Sequence, residues 1–300
     1  MWVCAKAFSS SANLGPGFDV LALAHNAYYD VVCVRESDDF KVTKVTGEWK
    51  VPKENNNALV VAREAAKALD LKGVEIWVHK GVPPGRGLGS SGATASATVK
   101  AIELLTGKSL NPKEAVAIAA EGERAVSGAA HADNVAASYL GGLVAVTYSP
   151  FEVVKFDVPK VKLVVATPWI EVPPGKTGEA RKVLPDTISL KEAVKMIGGS
   201  ALVIKALTNG DLELLGKAVE LDSVVTPRRK VLIPCYDEVR SAVIEGGCYD
   251  MTISGAGPSV LIIGKEECGE IAVKKWEECG VRASFKVVEP APGAMASPPP

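Results

Sequence analysis

The residues whose types and spacing carry most chemistry are Pro83-Pro84-Gly85-Arg86-Gly87-Leu88-Gly89-Ser90-Ser91-Gly92-Ala93-Thr94. Val74-Glu75-Ile76-Trp77-Val78 leads in with the alternation of a strand, and a small-residue stretch from Ala93 to Thr106 leads out as a helix. A glycine-rich loop between strand and helix start exposes main-chain N–H groups, and the helix dipole favours an anion beside them. The glycines permit positive φ and close approach, while Ser90 and Ser91 offer hydroxyls to phosphate oxygens or a metal ion. The expected ligand is the phosphate chain of a nucleotide.

Three familiar phosphate loops fit less well. A Walker A loop ends in Gly-Lys-Ser/Thr, but Gly87 is followed by Leu-Gly-Ser-Ser. Residues 87–92 spell G-x-G-x-x-G, yet a dinucleotide fold needs a strand after the helix. Here Asn111-Pro112-Lys113-Glu114 opens a second helix instead, with Asn111 as cap, Pro112 first and Glu114 in the capping-box position. A protein-kinase loop runs into a strand, and the chain has neither H-R-D nor D-F-G. A less common phosphate loop remains.

Two more polar segments sit where loops are expected. Ser9-Ser10-Ser11-Ala12-Asn13-Leu14-Gly15-Pro16-Gly17-Phe18-Asp19 follows the first strand and would place Asn13 and Asp19 at its C-terminal end, a common ligand position. Thr252-Ile253-Ser254-Gly255-Ala256-Gly257-Pro258-Ser259 reads as strand, glycine turn, strand.

The elements that must position these loops are mixed. Strands are expected at Trp2–Phe8, Tyr28–Arg35, Phe40–Thr46, Val74–Val78, Leu143–Tyr148, Phe151–Val158 and Lys162–Thr167. Helices are expected at Ala58–Leu69, with Asn57 available as cap, and at about 112–126, Leu190–Leu207, Asp211–Leu221 and Tyr236–Glu245. Met251–Ser254 and Ser259–Gly264 read as late strands, followed by a helix at Glu267–Cys279 and a strand at Val281–Val288. Pro168 to Gly178 reads as a long loop, and Pro290 to Pro300 as a disordered tail.

Composition narrows the function classes. Three hundred residues, 47% hydrophobic and 23% charged, suit an ordinary globular protein with one large or two modest domains. A net charge of −1 without a basic block argues against a nucleic-acid partner. No apolar run approaches the ~18 residues of a membrane span, and the N-terminus lacks a signal-peptide pattern, so a cytoplasmic location is expected. The six cysteines include no C-x-x-C pair and are expected to be reduced thiols.

The three loops, in this order, resemble those of the GHMP family of small-molecule kinases, over almost the whole span from Ser9 to Ser259. The finer likeness is to the archaeal, homoserine-phosphorylating branch. Ser11 to Asp19, Gly122-Glu123, Ser127-Gly128-Ala129-Ala130-His131-Ala132-Asp133-Asn134, Thr226-Pro227-Arg228-Arg229, Leu232-Ile233-Pro234 and Ser254 to Ser259 carry it. The resemblance implies an α+β fold in two domains, 1–155 related to a ribosomal-protein S5 fold and 156–289 ferredoxin-like, with 290–300 as a flexible tail. It further implies ATP-dependent phosphorylation of the side-chain hydroxyl of L-homoserine, with Mg²⁺, in a homodimer. Another small alcohol, such as mevalonate or shikimate, is the rival substrate class; a family member that binds nucleotide without catalysis is the more distant one.

By motif match, Pro84, Gly85, Arg86, Gly87, Leu88, Gly89, Ser90, Ser91, Gly92 and Ala93 would wrap the triphosphate. Ser91 and Glu123 would bind Mg²⁺, which prefers one or two protein oxygens completed by phosphate and water. Glu121 cannot share the helix face of Glu123. Asn57 would line the adenine side, although helix capping explains it comparably well. Homoserine carries an ammonium, a carboxylate and a hydroxyl. Asp19 would take the ammonium and Asn13 would hold the reacting end. Thr177, Arg181 and Arg229 would clamp the carboxylate, arginine being suited by its planar fork. Arg228 would be the solvent-facing neighbour of Arg229. His131 and Asp133 would line the acceptor site, Gly255 and Gly257 would let backbone approach it, and no strong general base is assigned.

Overall fold

The computed structural model describes residues 1–127, 131–173 and 175–300, and it is a mixed α+β structure built on two sheets. Gly128, Ala129 and Ala130 of the resemblance motif, and Pro174 of the expected loop, lie outside the described residues. β1 (Val3–Ala12) and β2 (Leu21–Glu36) pair antiparallel, and β3 (Lys41–Gly47), α1 (Asn57–Leu69) and β4 (Val74–Lys80) form a crossover unit with β3 and β4 parallel. α2 (Ser90–Thr106), α3 (Pro112–Ser127) and α4 (Asp133–Leu140) come next, followed by the hairpin of β5 (Leu143–Tyr148) and β6 (Phe151–Phe156). β2 is long enough to serve two partners: Leu21–Leu23 pairs with β5, while Val31–Glu36 pairs with β4.

β7 (Leu163–Pro168) starts the second sheet. After it come α5 (Lys176–Lys182), α6 (Leu190–Asn209), α7 (Leu212–Val219), α8 (Val225–Arg229) and α9 (Tyr236–Glu245). β8 (Asp250–Ile253), β9 (Val260–Ile263), α10 (Glu266–Glu278), β10 (Ala283–Val288) and β11 (Met295–Ser297) complete the chain. The second sheet runs β10-β7-β9-β8, all antiparallel, and residues of α9 and α10 cluster on it around the fully buried Trp276. A further apolar cluster joins the two halves: Leu14, Leu23, Val82 and Leu88 pack with Leu163, Val165, Leu207, Leu215 and Leu261. Burying such side chains is worth roughly 1.5–3 kcal/mol each, so the halves are held as one body.

α2 is buried almost all round, because Gly92, Ala93, Ala95, Ser96, Ala97 and Ala101 let sheet and helices approach it from several sides. A Cβ at Gly92 would press on the Asn134–Val135 backbone of α4, and one at Gly122 would meet Val61 of α1. Small residues there are a packing requirement.

Several expectations are corrected. The cap of α1 is Asn56, whose side chain accepts from the Ala58 N–H; Asn57 is already helical. α2 begins at Ser90 rather than Ala93, since Ser90 Oγ donates to Val82 O and ties the first turn to the incoming strand. β2 begins at Leu21, well before Tyr28, and α4 and α5 were not foreseen because both are short and lack a side-chain cap. The tail is paired rather than loose: β11 aligns with Cys4–Lys6 of β1, and Pro290 and Pro292 bridge to His25 and Gly141. Proline is tolerated there because an edge position asks for no N–H from it. The cysteines are not free thiols. Cys4–Cys33, Cys235–Cys279 and Cys248–Cys268 are bonded, with partners 29, 44 and 20 residues apart, separations that carry no local signal.

Candidate active site

A cleft of about 770 Å³ lies where the loops of the two halves meet, within the range usual for small-molecule sites. Its walls include Asn13, Asp19, Asn57, every residue from Pro84 to Gly92, Glu123, His131, Asp133, Thr177, Arg181, Arg229, Gly255 and Gly257. Of the candidate site residues only Ala93 is absent from the wall. It is fully buried inside α2, where its N–H donates to Gly89 O.

At one end the site is made of main chain. Gly85, Gly87 and Gly89 all have φ between 64° and 74°, backbone that only glycine adopts without cost. Gly89 opens α2 with no side-chain cap, so the first-turn N–H groups remain for a ligand. The loop is held from behind: Arg86 O accepts from Ser259 N and Leu88 O from Ser10 N.

A buried ionic knot lies under the first turn of α2, and sequence reasoning missed it. Lys80 Nζ pairs with Asp30 and also donates to Ser90 O (2.7 Å) and Thr94 Oγ1 (2.8 Å). Thr94 Oγ1 donates to Asp30 Oδ2, and Asp30 Oδ1 accepts the N–H groups of Gly81 and Val82, both at 2.9 Å. Each lone pair is used, as a buried charge pair requires. The available signal was an aspartate and a lysine on inward-facing positions of apolar strands.

Ser91 and Glu123 face each other across the start of α2. The Ser91 hydroxyl bonds the Glu123 carboxyl, while Asn57 Nδ2 donates to both Ser91 O and Oγ at 2.9 Å. Burial pushes the Glu123 carboxyl up to about 7, against the Ser91 hydrogen bond and the Lys80 charge, which favour its ionised form. A desolvated carboxyl beside a hydroxyl and a phosphate cradle is a donor set suited to a Mg²⁺ that keeps phosphate and water ligands. Among the described residues no cluster of three or more His, Cys, Asp or Glu is placed to hold a metal ion by itself. Glu121 points elsewhere and pairs with Arg124 at 3.4 Å.

The other end is made of side chains from both halves. Asn13 has φ 74°, receives Asp19 N at its Oδ1 and donates Nδ2 to Gly255 O at 2.9 Å. Arg229 is buried on α8, where its Nε donates to Ala180 O and Nη1 to Gly255 O, and burial lowers its pKa to about 10. Arg228, one residue earlier, turns to Ser223 O, Val224 O and Glu192. Thr177 and Arg181 lie four residues apart on α5, so one helix face presents both to the cleft. Arg181 Nη2 pairs with Asp19 at 2.5 Å, and the Phe18 ring lies between the guanidinium groups of Arg181 and Arg229 at 5.3 and 5.1 Å. Phe18 was not singled out in the sequence.

Two titratable groups complete this wall. The Asp133 carboxyl is driven up to about 7, first by burial and then by the Asp19 charge. His131 lies 3.8 Å from Asp19; burial lowers its pKa, the Asp19 charge opposes this, and Arg181 and Arg229 add to the lowering. Asn134, next along α4, has Oδ1 committed to the Ser10 hydroxyl at 2.8 Å and as an amide cannot take a proton as a base.

Comparison with known proteins places the chain among relatives of one kind. The family model for the GHMP kinases N terminal domain matches residues 56–142, and that for GHMP kinases C terminal matches residues 203–282. Homoserine kinase of Aeropyrum pernix is 42% identical, covering 97% of this chain and 96% of the relative. The homoserine kinase of Pyrococcus abyssi is 40% identical over 94% and 95% of the two chains. A crystal structure of homoserine kinase from Cytophaga hutchinsonii superposes with a TM-score of 0.89 at 33% identity, covering 99% of this chain and 97% of that one.

Proposed function

Because the chain belongs to the GHMP kinase family, we propose that it transfers the γ-phosphoryl group of ATP to the side-chain hydroxyl of L-homoserine, giving O-phospho-L-homoserine for threonine biosynthesis. One observation carries the reading. The 84–92 anion cradle and the charged acceptor wall share a single cleft, with Gly87 packed on the same 254–257 turn whose Gly255 carbonyl holds Asn13 and Arg229.

Homoserine is a zwitterion, and the acceptor wall offers one charge of each sign at close quarters. Its ammonium displaces Arg181 from Asp19, and its carboxylate takes Arg181 and Arg229, with Thr177 adding a hydroxyl. Asn13 and Asp133 face the hydroxyl end, and Asn57 lies on the adenine side of Ser91. The amides of the loop and of the first turn of α2 hold the phosphates, and Lys80 fixes that turn from below. A Mg²⁺ held by Ser91 and Glu123 would supply charge neutralisation on the phosphates. Transfer is in line: the bond from the γ-phosphorus to ADP breaks as the bond to the homoserine oxygen forms. The hydroxyl proton leaves late, onto a phosphoryl oxygen and then to solvent, so no strong base is needed.

We also assign the protein to a homodimer in the cytoplasm. Leu190, Val194 and Ile197 follow helical spacing along α6 and are 82, 61 and 70% exposed, an apolar stripe suited to a second copy. Among the described residues no helix is long and apolar enough to cross a membrane. Three disulfides are compatible with a cytoplasmic home, as intracellular proteins of hyperthermophiles show. Light scattering of wild type and Ile197→Glu tests the dimer: a wild-type monomer contradicts it.

The test of function is ADP release with homoserine, mevalonate, shikimate or simple sugars as acceptor, with and without Mg²⁺. Release that requires homoserine and Mg²⁺ is expected; turnover of an amine-free alcohol in its place would overturn the assignment.

A further inference from the structure

Arg86 is the one charged residue of the 84–92 loop, and its side chain is committed to the second half of the molecule. Nη1 donates to Ile170 O at 2.6 Å, and the guanidinium lies 5.2 Å from the centre of the Trp169 ring. Among the described residues its buried Nε finds no partner, a cost that the contacts to Ile170 and Trp169 must offset.

Trp169 is itself well anchored. It follows β7, its N–H donates to Arg282 O just before β10, and its Nε1 donates to Ser284 Oγ within β10, both at 2.8 Å. Its ring also stacks on Trp49, from the segment after β3, at 5.6 Å and 15°. Gly85 adds a main-chain contact, since a Cβ there would come within 3.0 Å of Val172 Cγ1. Loop residues 85–86 therefore rest against residues 169–172 of the other half.

What that segment leads to gives the contact its meaning. It runs on to α5, the seven-residue helix that presents Thr177 and Arg181 to the cleft. An isolated helix of that length is marginal in water, and α5 gains little from burial. Thr177, Gly178, Glu179, Arg181 and Lys182 are exposed, while Ala180 is buried. The position of α5 is thus set by what ties its two ends. At the C-terminal end Arg229 Nε donates to Ala180 O at 2.9 Å. At the N-terminal end Gly175 supplies no side-chain cap, and the chain leading in is held at Ile170 and Val172, where Arg86 and Gly85 touch it.

We propose that Arg86 is a positioning residue for the acceptor end of the cleft. By sequence it belongs to the phosphate loop, but its side chain tethers the 169–172 segment and so sets α5, with Thr177 and Arg181, against the acceptor. The other role open to an arginine in such a loop is direct neutralisation of the triphosphate, and the two roles differ in which constant moves. Arg86→Met keeps the length of the side chain but loses the donor and the charge. The homoserine KM is expected to rise about tenfold, as for a lost hydrogen bond from a charged group, while the ATP KM rises less than about threefold.

The proposal rests on reading residues 84–92 as the phosphate end and Thr177 and Arg181 as part of the acceptor end, and one measurement is independent of that reading. Hydrogen exchange of the nucleotide-free wild type and Arg86→Met, read by mass spectrometry, reports the tether without any substrate. Amides of residues 175–182 are expected to exchange about threefold faster or more in the variant, with α2 unchanged. Equal rates over 175–182, or an equal acceleration in α2, overturn the tether whatever the substrate proves to be. With the exchange as expected, an ATP KM that rises as much as the homoserine KM overturns the positioning role and returns Arg86 to the phosphates. A homoserine KM within about twofold of wild type overturns it too. An Arg86→Met protein that does not fold shifts the decision to Arg86→Lys, which keeps the charge without the planar fork. There a homoserine KM raised by about threefold or more is expected, and wild-type constants overturn the proposal.

Discussion

The two ends of the cleft are built on opposite plans. The loop end, the proposed phosphate cradle, is main chain, locked from behind by the Lys80–Asp30–Thr94 knot and by donors to loop carbonyls. The other end is side chain: Asp19 holds Arg181, and Arg229 is anchored through Nε to Ala180 O and through Nη1 to Gly255 O. Asp19 is 28% and Arg181 44% exposed, so that pair is solvent-screened and cheap to separate. The contrast separates two tasks. On the proposed reading, the triphosphate would meet a preformed cradle with little reorganisation, whereas the acceptor would replace an internal ion pair, which favours a molecule bearing both charges.

The largest expected effect falls on the preformed end. Glu123→Gln is expected to lower kcat by about 100- to 1,000-fold, the scale of one lost electrostatic contact to a transition state, with Glu121→Gln near wild type in the same steady-state assay. Equal losses in the two variants would dissolve the assignment. At the acceptor end Arg229→Leu is expected to raise the homoserine KM roughly 30- to 100-fold, the lower range for a severed buried charge pair, with the ATP KM little changed. Arg228→Leu serves as its control and is expected to leave both constants within about threefold, since Arg228 bonds the Ser223 and Val224 carbonyls just before α8, and Glu192.

Smaller effects follow from the buried acids. The folded Asp133 carboxyl titrates near 7, above its ordinary 3.8, so the native state holds a proton that the unfolded chain gives up earlier. The contribution of this group to stability is therefore fully present below about pH 4 and is lost as pH rises towards 7, by about 4 kcal/mol. Asp133→Asn is expected to flatten that decline and to melt higher than wild type at pH 8, which calorimetry across pH would show; an unchanged profile contradicts it. His131→Ala is expected to keep kcat within about tenfold, with an unaltered pH profile, if positioning rather than proton abstraction carries the rate. Near-total loss would make this histidine the base.

The loops were more legible than the framework that aims them. Glycine spacing in 85–92 and the polar run 9–19 are local signals, and the loop end of the cleft together with Asn13 and Asp19 could be named from them. Lys80 and Asp30 escaped because each looks like an isolated charge in a strand, and their meaning arises only when β2 and β4 pair. The early half of β2 was hidden because Leu21-Ala22-Leu23-Ala24 has too many alanines to stand out as strand. Thr177 and Arg181 looked like loop residues because Gly175 and Pro173 mask the short helix that aligns them. The disulfides and the pairing of the tail depend on partners far away in the chain, which no window of sequence contains.

The central claim is geometric: one cleft brings a phosphate held by amides at the start of α2 to the hydroxyl of a zwitterion whose ammonium and carboxylate are held by Asp19, Arg181 and Arg229. The most direct test is a crystal structure with a non-hydrolysable ATP analogue and homoserine bound together. The account predicts the γ-phosphorus over the 87–91 amides with the homoserine hydroxyl oxygen about 3–3.5 Å away and in line. A γ-phosphate outside the loop, or a hydroxyl turned away from it with the carboxylate off Arg229, would contradict it.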